Sequence, residues 1–122
     1  MVAQSALAEA PFHIPDSPTR TELLAKYFGV LAHPARLRIV ELLEAEDELS
    51  VGELVERLAI PQPNVSNHLA CLRWCGFVAT RRDHRTIYNR IADRRVSRIV
   101  ALARGLLEEN EEHVAACRRV DG

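Results

Sequence analysis

The stretch Pro61-Gln-Pro-Asn-Val-Ser-Asn-His-Leu-Ala-Cys-Leu-Arg-Trp-Cys75 constrains this chain more than any other. A helix over it, turning about 100° per residue, brings Val65, Leu69 and Leu72 into one narrow arc that must face a core. Asn64, His68, Cys71 and Cys75 then line up along the adjacent stripe, so the two thiols, spaced i and i+4, stack beside the buried seam. Gln62, Ser66, Asn67 and Arg73 carry groups that hydrogen-bond base edges or phosphates. Gly76 follows and can adopt the left-handed conformation that stops a helix.

The flanking segments give this helix a context. Ser50-Val-Gly-Glu53 is a capping box that opens a short helix with Val51, Leu54, Val55 and Leu58 on its apolar side. Ala59-Ile60-Pro61 leaves only a tight connection to the polar helix, and two short helices so joined form a helix-turn-helix. Beyond Gly76 the period changes. Residues 77–82 and Thr86 to Ile91 are β-rich and separated by Asp83-His84-Arg85, which predicts a hairpin wing. Its arginines, Arg81, Arg82 and Arg85, are suited to phosphates or a minor groove. The expected DNA-contacting set is therefore Gln62, Pro63, Asn64, Ser66, Asn67, His68 and Arg73 on the helix, with Arg81, Arg82 and Arg85 on the wing.

Upstream, Thr19-Arg-Thr-Glu22 is another capping box, opening a helix striped by Leu23, Leu24, Tyr27, Phe28 and Leu31. His33-Pro34 breaks it and starts a second helix carrying Leu37, Ile39, Val40, Leu42 and Leu43. Asp93 caps a last helix in which Val96, Ile99, Val100, Ala103, Leu106, Leu107, Asn110 and Val114 recur at spacings of three and four. So long an apolar stripe on a terminal helix predicts a partner chain. The fold class that follows is mainly α with a β-hairpin wing, a winged helix-turn-helix. Residues 1–18, with Pro11, Pro15 and Pro18, read as an N-terminal arm in which His13 has no ligand role. The domain spans residues 19–116, and residues 117–122 form a tail.

The length of 122 residues allows one domain with a modest core. The formal net charge of -1 conceals a segregation: Arg73, Arg81, Arg82, Arg85, Arg90, Arg94 and Arg95 face only Asp83 and Asp93, while acidic residues gather at Glu41 to Glu56 and Glu108 to Glu112. Local rather than net charge sets phosphate affinity, so a near-neutral chain is compatible with nucleic-acid binding. No basic, apolar leader and no run of about 18 apolar residues occurs, which predicts a cytoplasmic protein without a membrane partner. Three cysteines in a reducing compartment point to metal or redox chemistry rather than a disulfide framework. No nucleophile is paired with a base and no glycine-rich phosphate loop is present, so an enzyme is not expected.

Two motifs, Leu31-Ala-His-Pro-Ala-Arg-Leu-Arg-Ile39 and Asn64-Val-Ser-Asn-His-Leu69, in this order of elements, resemble the ArsR/SmtB family of metal-responsive winged-helix repressors. The resemblance runs from about Thr21 to Val114. It implies a homodimer formed by the first and last helices, a fourth helix that reads the major groove of operator DNA, and release of DNA when metal binds. Metal positions differ among members. The Cys-x-Cys pair of one arsenic and cadmium subgroup is missing, since the corresponding region reads Leu49-Ser-Val-Gly-Glu53, and Val96 and Arg98 fall where a zinc subgroup has ligands. Cys71-Leu-Arg-Trp-Cys75 instead resembles the CmtR type of cadmium and lead sensor, with Cys117 matching a third cysteine supplied by the other subunit. Departures are an arm without cysteine, Pro61 and Pro63 where serine or threonine is common, and His84 where the wing often has glycine.

A three-thiolate set of Cys71, Cys75 and Cys117 is soft, favouring Cd(II) or Pb(II) and compatible with Hg(II), Zn(II) or As(III); His113, one turn before Cys117, is an additional candidate donor. The rival expectation is a thiol redox sensor in which Cys71 or Cys75 bonds to Cys117 across the dimer.

Overall fold

Side-chain caps fix where the helices begin, except for the helix over Gln62–Trp74, whose N-cap Pro61 makes no side-chain hydrogen bond. The computed structural model describes residues 18–118. In it Thr19 and Glu22 close a reciprocal capping box at the start of α1 (Arg20–Leu31), with Thr19 Oγ1 accepting from the Glu22 amide at 3.0 Å. His33 caps α2 (Pro34–Glu46) by accepting the Ala35 amide on Nδ1, and Pro34 stands in the first turn, where its missing N–H costs nothing. Ser50 and Glu53 form the expected second box ahead of α3 (Val51–Leu58). Asp93 caps α5 (Arg94–Ala116), and its carboxyl is held down at about 2, first by the Arg95 side chain and then by the Arg95 amide.

Between α3 and α5 lie α4 (Gln62–Trp74) and the strands β2 (Val78–Asp83) and β3 (Thr86–Ile91). Leu72 and Arg73 carbonyls accept from the amides of Phe77 and Gly76, and Gly76 has φ +82, so α4 ends in a Schellman motif. Phe77, expected as the first strand residue, belongs to this stop signal. It is fully buried and its ring stacks on Tyr27 with centroids 4.4 Å apart.

One strand was not expected. Leu49–Ser50 form β1, paired antiparallel with β3 through Leu49 and Asn89 and through Ser50 and Tyr88, which makes the wing a three-stranded sheet in the order β1-β3-β2. Asn89, buried in this sheet, donates to the Leu49 carbonyl at 3.1 Å and so holds the strand in register. Two residues are too few to display a period of two.

The core gathers Ile39, Val40 and Leu43 of α2, Leu54 of α3, the Val65, Leu69 and Leu72 seam of α4, and Phe77. The stripe on α5 divides. Val96 and Val100 join the core, while Leu106, Leu107 and Val114 stand in solvent, as do Leu102 outside the stripe and Leu23, Leu24 and Phe28 of α1. An apolar groove of about 360 Å³ runs between these helices, lined by Phe28, Leu31, Leu37, Ile99, Ala103 and Leu107 among others. Of the arm expected over residues 1–18, only Pro18 lies among the described residues; His13 and residues 119–122 of the tail fall outside them. Among the described residues no helix is long and apolar enough to cross a membrane.

Candidate nucleic-acid interface and thiol pair

The turn between α3 and α4 is made by Ala59, which adopts the left-handed conformation (φ 57) and returns its amide to the Val55 carbonyl at 2.8 Å. With Val65, Leu69 and Leu72 seated in the core, the opposite side of α4 is open. Gln62, Pro63, Asn64, Ser66, Asn67 and Arg73 are all exposed. His68 behaves differently: it is half-buried, its Nδ1 accepts from Arg36 Nε at 3.2 Å, and its ring lies 4.5 Å from that of His33. Burial, then the neighbouring His33 and Arg36, lower its pKa, and an accepting Nδ1 places the proton of the neutral ring on Nε2. This side chain is committed to α2 rather than to the open face. Arg36 was not singled out by sequence reasoning, because only the fold brings it to a residue so distant in the chain.

The wing turns at His84, whose φ of 57 is unusual for a residue with a Cβ. Arg82 and Arg85 are exposed near this tip. Arg81, expected to act with them, is engaged elsewhere: its Nε and Nη2 donate to the Glu48 carboxylate at 2.7 to 2.9 Å, and its guanidinium lies 4.9 Å from the centroid of the Tyr88 ring.

Cys71 and Cys75 are half-buried free thiols packed against the core. Cys75 forms the C-cap of α4, and its thiol is pushed above the ordinary range by burial first, then by the neighbouring Cys71. The positive charges of Arg36 and Lys26 oppose that shift. The two thiols therefore meet on one side of α4, facing α1 and α2. Cys117 is free and half-buried at the C-cap of α5. Within one protomer no three His, Cys, Asp or Glu side chains among the described residues are grouped to hold a metal, so Cys117 does not meet the pair inside its own chain. His113 is exposed and lines a shallow depression with Glu108, Glu109 and Glu112.

Comparison with known proteins matches residues 33–80 to the family described as bacterial regulatory protein, arsR family. A "probable mercury resistance operon repressor" of Streptomyces lividans is 38% identical over 117 residues, covering 96% of this chain and 88% of that protein. The chain belongs to the ArsR family. Among solved structures, Rv0081 of M. tuberculosis superposes with a TM-score of 0.74 at 39% identity, covering 82% of this chain and all of that one. The homodimeric winged helix-turn-helix DNA-binding domain Mb0332 of Mycobacterium bovis gives 0.68 at 30% identity, covering 82% of this chain and 95% of that one. The ArsR match extends from the cap of α2 into β2 and so contains both helices of the reading motif and the thiol pair. This ArsR-family protein is a winged helix-turn-helix transcriptional regulator, not an enzyme.

Proposed function

We propose that this protein is a metal-responsive repressor: a homodimer that binds operator DNA and lets it go when a soft metal ion is held by thiolates. Cys71 and Cys75 would supply two donors and Cys117 of the partner subunit the third. The observation that carries this reading is the meeting of two thiols on one side of the reading helix, in a chain where the third lies at the end of an apolar helix left open in the protomer. Exposed leucines on α1 and α5 and the homodimeric neighbour support pairing through these helices. Three thiolates suit Cd(II) or Pb(II), and the mercury resistance repressor among the relatives adds weight to a thiophilic effector, Hg(II) included.

In this scheme Gln62, Pro63, Asn64, Ser66, Asn67 and Arg73 face the DNA from α4, and Arg82 and Arg85 from the wing. Sulfur ligands, once deprotonated, form strong bonds to a soft cation and cancel its charge. Ligation across the dimer ties the C-terminal end of α4 to the partner's tail and restrains the angle at which the two reading helices are presented. Metal and DNA then weaken each other's binding reciprocally, by a coupling of roughly 1 to 3 kcal/mol.

The test is a titration of Cd(II), and separately Hg(II), into the reduced full-length protein, following thiolate-to-metal charge-transfer absorption in the wild type and in Cys117→Ser. A band saturating at one metal per protomer, weakened in the variant, is expected, together with DNA release that the variant lacks. Trp74, the only tryptophan, stands exposed beside Cys75 and provides a fluorescence readout of the same event. Absence of the band rejects the metal reading and leaves the cysteines structural or redox-active; release by peroxide without metal favours redox sensing.

A further inference from the structure

The wing carries arginines in two different situations. Arg81 and Arg82 are neighbours on β2, so their side chains leave opposite faces of the hairpin. The register aligns Arg81 with Tyr88 and Tyr88 with Ser50, placing the three strands in one row. From that row the Arg81 guanidinium passes over the Tyr88 ring and meets Glu48 with two nitrogens. Glu48 is itself well placed as an anchor. It follows a tight turn in which Asp47 has φ 64 and the Glu48 amide donates to Glu46, and it stands two residues before Ser50, the cap of α3. The pair thus joins β2 of the wing to the entrance of the helix-turn-helix. A bidentate arginine and carboxylate fix an orientation as well as a distance, and their opposite charges leave little net field for a phosphate.

We infer that Arg81 is a positioning residue, which with Glu48 and Tyr88 sets the angle of the wing against α3 and α4, and that the wing's phosphate contacts belong to Arg82 and Arg85. This rests on the DNA-binding half of the proposed function and is independent of the thiol site. It has a consequence opposite in sign to simple electrostatics. Removing the negative charge of Glu48 near a DNA-binding surface ordinarily favours polyanion binding; here it frees the wing and weakens binding.

The experiment uses the full-length reduced protein and a fluorescent DNA duplex selected by the wild type from a randomised library. Binding is measured over a series of salt concentrations for Glu48→Gln, Arg81→Gln, the double variant and Arg85→Gln. Glu48→Gln and Arg81→Gln are each expected to weaken binding by about fivefold, with the double variant no worse than either single one. Their plots of log affinity against log salt should keep the wild-type slope, whereas Arg85→Gln should flatten it by about 0.9 for each phosphate no longer neutralised. Hydrogen exchange of the β2 and β3 amides in the free protein should rise in both clamp variants, a readout that needs no DNA and separates failure of the clamp from failure of the DNA reading. Tighter binding by Glu48→Gln, a flatter slope for Arg81→Gln, or unchanged exchange overturns the assignment.

Discussion

Helices α4 and α5 both carry long apolar stripes, yet they end in different circumstances. The α4 stripe of Val65, Leu69 and Leu72 is wholly consumed by its own protomer, packed against α2 and α3. The α5 stripe is consumed only as far as Val100; beyond it Leu106 is 63% exposed and Leu107 43%. The position of α4 is therefore a property of one folded chain, and that of distal α5 a property of whatever covers it. The three cysteines are divided across this boundary, two on the helix the protomer fixes and one at the end of the helix it leaves open. A ligand shared by both sets reports on the relation between the two helices, which neither protomer determines alone.

The largest expected effect tests the first half of that contrast. Leu72→Ala removes a fully buried side chain from the α4 seam and should destabilise the protein by about 2 to 5 kcal/mol, seen as a lower denaturation midpoint with little change in slope. Next comes Leu106→Glu, which puts a charge on the open stripe. The protomer fold should survive, because the side chain is exposed there, while the dimer dissociation constant should rise by roughly a hundredfold, as expected for a charge at the centre of an apolar contact. Sedimentation across a concentration series distinguishes the two. If Leu106→Glu lowers the denaturation midpoint as Leu72→Ala does while the folded protein still assembles as tightly as the wild type, the boundary at Val100 has been drawn in the wrong place.

How much of this could be read from the chain depends on the range of each interaction. The caps at Thr19 and Ser50, the α4 seam and the Gly76 stop are local patterns, repeated within a turn or two, and all were legible. The α5 stripe was legible as apolar, but its division was not, since periodicity says that a face is covered and not by which chain. The pairings that bind distant segments left no local trace. Arg36 with His68, Glu48 with Arg81 and Asn89 with Leu49 each join residues more than thirty apart, and β1 exists only because β3 lies beside it. Helical geometry put His68 and Cys71 on a stripe next to the seam. It did not tell that the stripe turns toward α1 and α2, where a histidine acquires a partner and leaves the reading face.

The smallest effect concerns that histidine. Burial, with His33 and Arg36 adding to it, lowers the His68 pKa, so the unfolded chain takes up a proton at a higher pH than the folded one. The contribution of neutral His68 to stability is then complete above the ordinary histidine value of about 6.5 and is lost as pH falls through the lower, folded value. The hydrogen bond gives the cause: protonation would put a proton on Nδ1, facing the Arg36 Nε–H that now donates to it. His68→Gln keeps an acceptor near Arg36 but cannot titrate. Between about pH 7 and about pH 5, wild-type stability should fall more steeply than that of the variant; carboxylates such as Asp93 titrate lower and are common to both. Equal slopes would mean that His68 is hydrated in both protonation states and does not tie α4 to α2. In that case the firm setting of α4 within the protomer would rest on its apolar seam alone.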